Sequence, residues 1–333
     1  MTIIVDGMGG DFAPVEILKG CALAVKELDL DVIVTGKEDL LKKTAEDENI
    51  CLDRITFRHA EQVVTMEDEA GSVLRAKRDS SLGLAFDLLK DGEGDAVVSA
   101  GNSGAVLAGA TLIVKRIPGV KRAAFAPLLP TRKGYVMLLD SGANEVCTPD
   151  YLDQFGTMGA LYMKAAGFAE NPRVGLLNNG TEECKGPELY QQAHKMLQAN
   201  PAINFAGNVE GRAVFDGDCD VVVADGFAGN ILLKAIEGTG LFMMDLMKEA
   251  LTANFFSTLL TGLLKPRLRQ MKHRMDYTEV GGAALLGIAK PVIKAHGNSK
   301  AKAFKNAIRQ AAEFARSGAV EKIADAMKEE KGE

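Results

Sequence analysis

Six times along this chain a short, unbroken apolar run stops at a turn rich in Gly, Asn, Asp or Ser, and a helical period follows. Ile3-Ile4-Val5 stops at Asp6-Gly7-Met8-Gly9-Gly10-Asp11, and Val32-Ile33-Val34 stops at Thr35-Gly36. Ala96-Val97-Val98 stops at Ser99-Ala100-Gly101-Asn102-Ser103-Gly104. Val136-Met137-Leu138-Leu139 leads into Asp140-Ser141-Gly142-Ala143-Asn144, and Val174-Gly175-Leu176-Leu177 into Asn178-Asn179-Gly180-Thr181. Val221-Val222-Val223 leads into Asp225-Gly226-Phe227-Ala228-Gly229-Asn230. Strands that lack polar alternation are covered on both faces. The helices between them supply the cover, so the expected fold is α/β, three layers α/β/α around a mostly parallel sheet. No segment is rich enough in Pro, Ser or charge to read as a linker. The 333 residues are therefore expected to form one catalytic domain, 1–333, with room for two lobes.

In such a sheet, ligands bind outside the carboxyl ends of the strands. All six loops are therefore expected at one edge, where free N–H groups and helix dipoles favour an anion. Turns alone also select Gly and Asn. Six such loops with extra hydrogen-bonding side chains exceed that need. The first loop offers Asp6, Gly9, Gly10 and Asp11 as substrate contacts, and the third offers Gly101, Asn102, Ser103 and Gly104. The later loops offer Asn144, Asn178, Thr181, Asp225, Gly226 and Gly229.

Several function classes are disfavoured. The net charge of −6 and the absence of Trp argue against a nucleic-acid partner. Gly7-Met8-Gly9-Gly10-Asp11-Phe12 is not the dinucleotide fingerprint, and no P-loop sequence occurs. Cys21, Cys51, Cys147, Cys184 and Cys219 are scattered without a Cys-x-x-Cys pair, as in a reduced cytoplasmic protein without zinc. Asp6, Asp11, Asp140 and Asp225 could hold a metal, but acids at this edge also cap helices. No metal and no cofactor are expected. Met1 leads directly into an apolar strand, so no signal peptide is read. The uncharged stretch Ala96–Val114 is long enough for a membrane span, yet Gly101-Asn102-Ser103-Gly104 breaks it. It reads instead as strand, tight turn and helix.

Lys185 stands between Cys184 and Gly186-Pro187, just before a helix. There it either neutralises a phosphate and a developing oxyanion or is a solvated surface lysine. Asn230 either donates its amide to a carbonyl or phosphate oxygen, or caps the helix that follows. His296 ends an apolar run, as an acid/base or as a structural residue. Cys184 has no base beside it and reads as inert.

Leu251, Phe255, Phe256, Leu259, Leu260, Leu263 and Leu264 recur at helical spacing, and Pro266 interrupts them. Lys265, Arg267, Arg269, Lys272, His273 and Arg274 follow, with no acid from Ala250 to Met275. An amphipathic helix pair over 250–276 is expected to project. Phe255, Phe256, Leu259, Leu260, Leu263, Arg267, Arg269 and Lys272 would then meet a membrane surface or a partner. A dimer interface or a core-facing helix is the plainer reading.

The segments Val5–Pro14, Ser99–Ala105, Leu176–Glu182, Asp225–Asn230 and Ile293–Gly297, in this order, resemble the bacterial phosphate acyltransferases of phospholipid synthesis. The resemblance implies a fold like that of isocitrate and isopropylmalate dehydrogenases and phosphotransacetylases. It implies transfer of a fatty acyl group from acyl carrier protein to inorganic phosphate, giving acyl phosphate for glycerol-3-phosphate acylation. It further implies a cytoplasmic homodimer loosely held at the inner face of the cell membrane, near a membrane-bound glycerol-3-phosphate acyltransferase. Function falls on Lys185 and Asn230. The competing readings are a short-chain acyl-CoA phosphotransacetylase, a dehydrogenase of the same fold, and a peripheral-membrane scaffold without turnover.

Overall fold

The computed structural model describes residues 1–253, 261, 267–268 and 280–329. Its strands are β1 (Thr2–Asp6), β2 (Asp31–Gly36), β3 (Ile55–His59), β4 (Ala96–Ser99), β5 (Ala124–Thr131), β6 (Gly134–Leu139), β7 (Arg173–Asn178), β8 (Asn204–Glu210), β9 (Val221–Val223), β10 (Ala283–Leu286) and β11 (Val292–Lys294). They form one sheet in the order β3-β2-β1-β4-β11-β10-β5-β6-β9-β7-β8. The long helices are α1 (Val15–Leu28), α2 (Glu38–Asp47), α3 (Ser81–Asp91), α5 (Pro149–Ala165), α6 (Glu188–Ala199), α7 (Gly226–Thr252), α8 (Ala301–Ser317) and α9 (Ala319–Glu329), with a short α4 at Ser103–Gly109.

Three layers follow from the pleat. Ile3 and Val5 join one cluster with Phe155 and Phe304. Ile4, between them, joins the opposite cluster with Phe86. Each of these Phe side chains is fully buried and contributes about 3 kcal/mol relative to exposure. Together they fix helices to both faces. Ala96–Val114 resolves into β4, a turn, α4 and a π-helical stretch at Ala110–Lys115, as strand, turn and helix. Among the described residues, no helix is long and apolar enough to cross a membrane.

The sheet is not uniform in direction. β3, β2, β1, β4 and β11 run parallel to one another. β10 is antiparallel to both β11 and β5, and β5 turns back into β6 through the hairpin at Thr131–Gly134. β6, β9, β7 and β8 are again mutually parallel, but opposed to the first group. The carboxyl ends of the two groups therefore lie at opposite edges of one sheet, contrary to the expectation of a single edge. A run of Val and Ile marks a strand but carries no record of its direction.

Candidate active site

The first group of strand ends gathers the loops after β1, β4 and β11. Asp6 is buried, and its carboxylate accepts the Ser99 hydroxyl at 2.8 Å and the Met8 amide at 3.3 Å. Burial raises its pKa, against those hydrogen bonds. Ser99 in turn accepts the Gly101 amide. A side-chain carbon on Gly9 would stand 2.7 Å from the Gly101 nitrogen, so the two backbones pass in contact. Asn102 caps α4 by accepting the Ala105 amide, and donates to the Met66 and Asp68 carbonyls. Asp6 and Asn102 thus brace these loops with their side chains. Ser103 and Asp11 are exposed, while Gly104 packs against Ala70 and Gly10 against Ala100. The loop after β2 lies below this group. Gly7 donates to the Thr35 carbonyl, and the buried Thr35 hydroxyl donates to Ser81.

The second group gathers the loops after β6, β7 and β9. Asp140 is fully buried. Its carboxylate accepts the backbone amides of Phe125, Gly142, Ala143 and Asn144, together with the Asn144 side chain. Burial raises its pKa, against these donors. Asn144 also donates to the Ala123 carbonyl. Asp225 is the helix cap of α7, accepting the Ala228 amide at 2.7 Å and the Tyr190 hydroxyl at 2.6 Å. Gly226 and Gly229 let the first turn of α7 lie directly on the 140–144 loop. A side-chain carbon on Gly229 would fall 1.9 Å from the Asp140 carbonyl oxygen. Asn144, Asp225, Gly226 and Gly229 are each accounted for by packing or hydrogen bonding within these loops.

Two residues of this group are not accounted for that way. Asp225 caps α7, so Asn230 is not the cap. It lies in the second turn, exposed, with its amide carbon 3.5 Å from where a side chain on Gly142 would begin. Lys185 is exposed too, but its backbone is tied down closely. Asn208 and Lys185 donate to the Glu182 carbonyl, Gln191 to those of Cys184 and Gly186, and Asn178 to that of Lys185. A fixed backbone that presents a free ammonium is what anion binding needs. Thr181 is exposed on the same loop, and so is Cys184.

α7 joins the two groups. Asn230, Lys234 and Glu237 stand at i, i+4 and i+7 and share one face of the helix. Asn230 faces Gly142 of the second group. Seven residues on, about 10 Å along the axis, Glu237 meets His296 of the first group at 3.7 Å. Burial disfavours the Glu237 carboxylate, but hydrogen bonds from His296 and Lys234 outweigh it and lower its pKa. One helical face thus meets loops from opposite sheet edges.

Lys294, at the end of β11, went unremarked in the sequence. It is half-buried, and its ammonium donates to the carbonyls of Ala100 (3.3 Å) and Ala295. Burial depresses its pKa from 10.5 to about 8; Asp11 and Asp6 oppose that shift and Lys234 adds to it. The only signal in the sequence is a single charge interrupting Val292-Ile293-Lys294-Ala295. Of the expected outer contacts, Arg267 is described and exposed. Phe255, Phe256, Leu259, Leu260, Leu263, Arg269 and Lys272 lie outside the described residues.

The profile of the family described as "Fatty acid synthesis protein" matches residues 1–322. The chain is 44% identical over 326 residues to the phosphate acyltransferase of Clostridium perfringens (strain SM101), covering 98% of this chain and 96% of the relative. In three dimensions it is similar to a phosphotransacetylase from Streptococcus pyogenes, with a TM-score of 0.64 at 17% identity over 96% and 94% of the two chains. It is also similar to the 4-hydroxythreonine-4-phosphate dehydrogenase of Klebsiella pneumoniae, with a TM-score of 0.55 at 14% identity over 95% and 99%. At those identities the structural likeness speaks for the fold alone.

Proposed function

The chain belongs to the fatty acid synthesis family and is a phosphate acyltransferase, and from that premise we propose that it takes its acyl group from acyl carrier protein and carries out the transfer in the cleft along α7. The observation that carries this reading is the α7 face. It presents Asn230, whose amide makes no hydrogen bond among the described residues, in the same group of strand-end loops as the tethered Lys185. Inorganic phosphate binds toward Lys185, whose ammonium offsets its charge. A phosphate oxygen attacks the thioester carbonyl, and Asn230 donates to the oxygen that becomes negative. The attack is direct, so no acyl-enzyme forms on Cys184. Ser103, Asp11 and Thr181 line the approach, and the whole chain works as one catalytic unit.

Incubation of palmitoyl-acyl carrier protein with phosphate and the protein is expected to yield palmitoyl phosphate and free carrier, read by mass spectrometry. Faster turnover of acetyl-CoA would instead make the chain a phosphotransacetylase. A stable acyl adduct on Cys184 would remove the direct attack.

We further propose that the outer half of α7 is covered by a second copy of the chain. Leu241, Phe242, Met243 and Leu246 are exposed there. Beside them, Gly238 and Gly240 face open space, although each costs a helix about 1 kcal/mol relative to Ala. Small residues flanked by exposed apolar ones suit close approach of another helix. The 250–276 segment, basic and apolar by sequence, would hold this cytoplasmic dimer loosely at the inner membrane face, within reach of a glycerol-3-phosphate acyltransferase. Light scattering that gives a monomer would remove the dimer. Failure to sediment with anionic vesicles, or sedimentation undiminished by Phe255→Glu with Leu259→Glu, would remove the membrane contact.

A further inference from the structure

The transfer leaves a proton unassigned. A phosphate dianion carrying one hydroxyl proton attacks, and a thiolate departs. The new oxygen–carbon bond forms with an electron pair from phosphate, and the carbon–sulfur bond breaks with its pair leaving on sulfur. The products are acyl phosphate dianion and neutral thiol, so one proton must pass from phosphate to sulfur. Attacking oxygen and departing sulfur occupy different corners of the tetrahedral carbon. With phosphate assigned to Lys185 and the oxyanion to Asn230, the sulfur is assigned to the remaining stretch of the α7 face, toward the first group of loops.

Lys294 lies at that end. Two of its three ammonium donors go to the carbonyls of Ala100 and Ala295. No carboxylate stands within ion-pair distance of it among the described residues. The charged groups facing it are Asp6 and Asp11 from the β1 end and Lys234 from α7. Glu237, one turn further along α7, is engaged by Lys234 and His296. An ammonium half withdrawn from water, with Asp6 and Asp11 beyond ion-pair distance and one donor left, suits a site where negative charge appears during reaction.

We propose that Lys294 is the catalytic proton donor of the transfer, giving one ammonium proton to the sulfur of the departing thiolate and recovering it from the hydroxyl of the newly acylated phosphate. The inference rests on the acyl transfer proposed above and names the group that completes it. A donor with a pKa of about 8 is well matched to a thiol whose ordinary value is about 8.5. The ammonium form is the active one. Activity on this account falls as pH rises through the Lys294 pKa.

The test compares wild type, Lys294→Arg and Lys294→Met, with palmitoyl-acyl carrier protein and inorganic phosphate as substrates from pH 6.5 to 9.5. Wild-type kcat is expected to decline above about pH 8. Lys294→Arg keeps the charge but holds its proton, so its kcat should be lower by about 10²-fold and lack that alkaline limb. Lys294→Met should lose a similar factor while its KM for phosphate moves less than about threefold. Folding is checked by melting temperature, and Lys294→Arg preserves the charge if the Met variant unfolds. An unchanged alkaline limb in Lys294→Arg would overturn the proposal, as would wild-type kcat in either variant. A rise in phosphate KM alone would also overturn it, by making Lys294 an anion-binding residue only. Wild type that forms no acyl phosphate would instead refute the acyl transfer itself, and this inference would fall with it.

Discussion

Asn230→Ala is expected to lower kcat by about 10²- to 10³-fold, the usual consequence of removing one oxyanion donor, with a melting temperature close to wild type. The stability half follows from structure. Asn230 is exposed, Asp225 already caps α7, and the Asn230 amide closes no hydrogen bond among the described residues. The activity half follows from proximity to Gly142 and from membership of one helical face with Lys234 and Glu237. Phosphate-dependent thiol release measures the first, and circular dichroism on heating the second. Asn230→Asp should do no better than Ala, because it replaces a donor with a negative charge beside an anion. A loss confined to the KM for phosphate would show that the amide holds the nucleophile rather than the oxyanion.

Asp140→Ala should destabilise the protein by about 3–5 kcal/mol, the range for breaking a buried charge network. The carboxylate is fully buried and draws in backbone amides from both Phe125 and the 142–144 turn. Ala would leave several N–H groups turned inward without an acceptor. The loss would reach the cleft, because the Asp140 carbonyl is the surface on which Gly229 rests. Urea titration gives the free energy. Asp140→Asn, which keeps one acceptor oxygen, should recover part of it. A variant within 1 kcal/mol of wild type would mean that the 140–144 turn is held by other contacts.

Most of the architecture was legible because a strand covered on both faces has only apolar side chains to show. Ile3-Ile4-Val5 and Val221-Val222-Val223 are of this kind. Edge and antiparallel strands were harder. Asn204–Glu210 and Ile55–His59 mix polar and apolar residues, and no turn residue announces that the second half of the sheet reverses. Among site residues, Asp6, Asn102, Asn144 and Asp225 were picked out by the same chemistry that makes them good caps and turn braces. Sequence cannot separate an amide that serves a loop from one that serves a ligand. Asn230 was ambiguous for that reason, until the cap proved to be five residues earlier. Lys294 was missed because its meaning lies in its burial, and a lone lysine at a strand end looks like any other.

The two glycines of α7 bear on how the cleft behaves at a surface. The helix is 27 residues long, about 40 Å, and Glu237 ties it to the first group of loops through His296. Gly238-Thr239-Gly240 comes immediately afterwards, with open space around both glycines. A helix bends most cheaply where side chains neither stiffen the turn nor brace it against neighbours. The outer half can therefore swivel, as a limb does at a joint, while the inner turns keep Asn230 in register with Gly142. Whatever grips the far end, the compliance sits outside the chemistry.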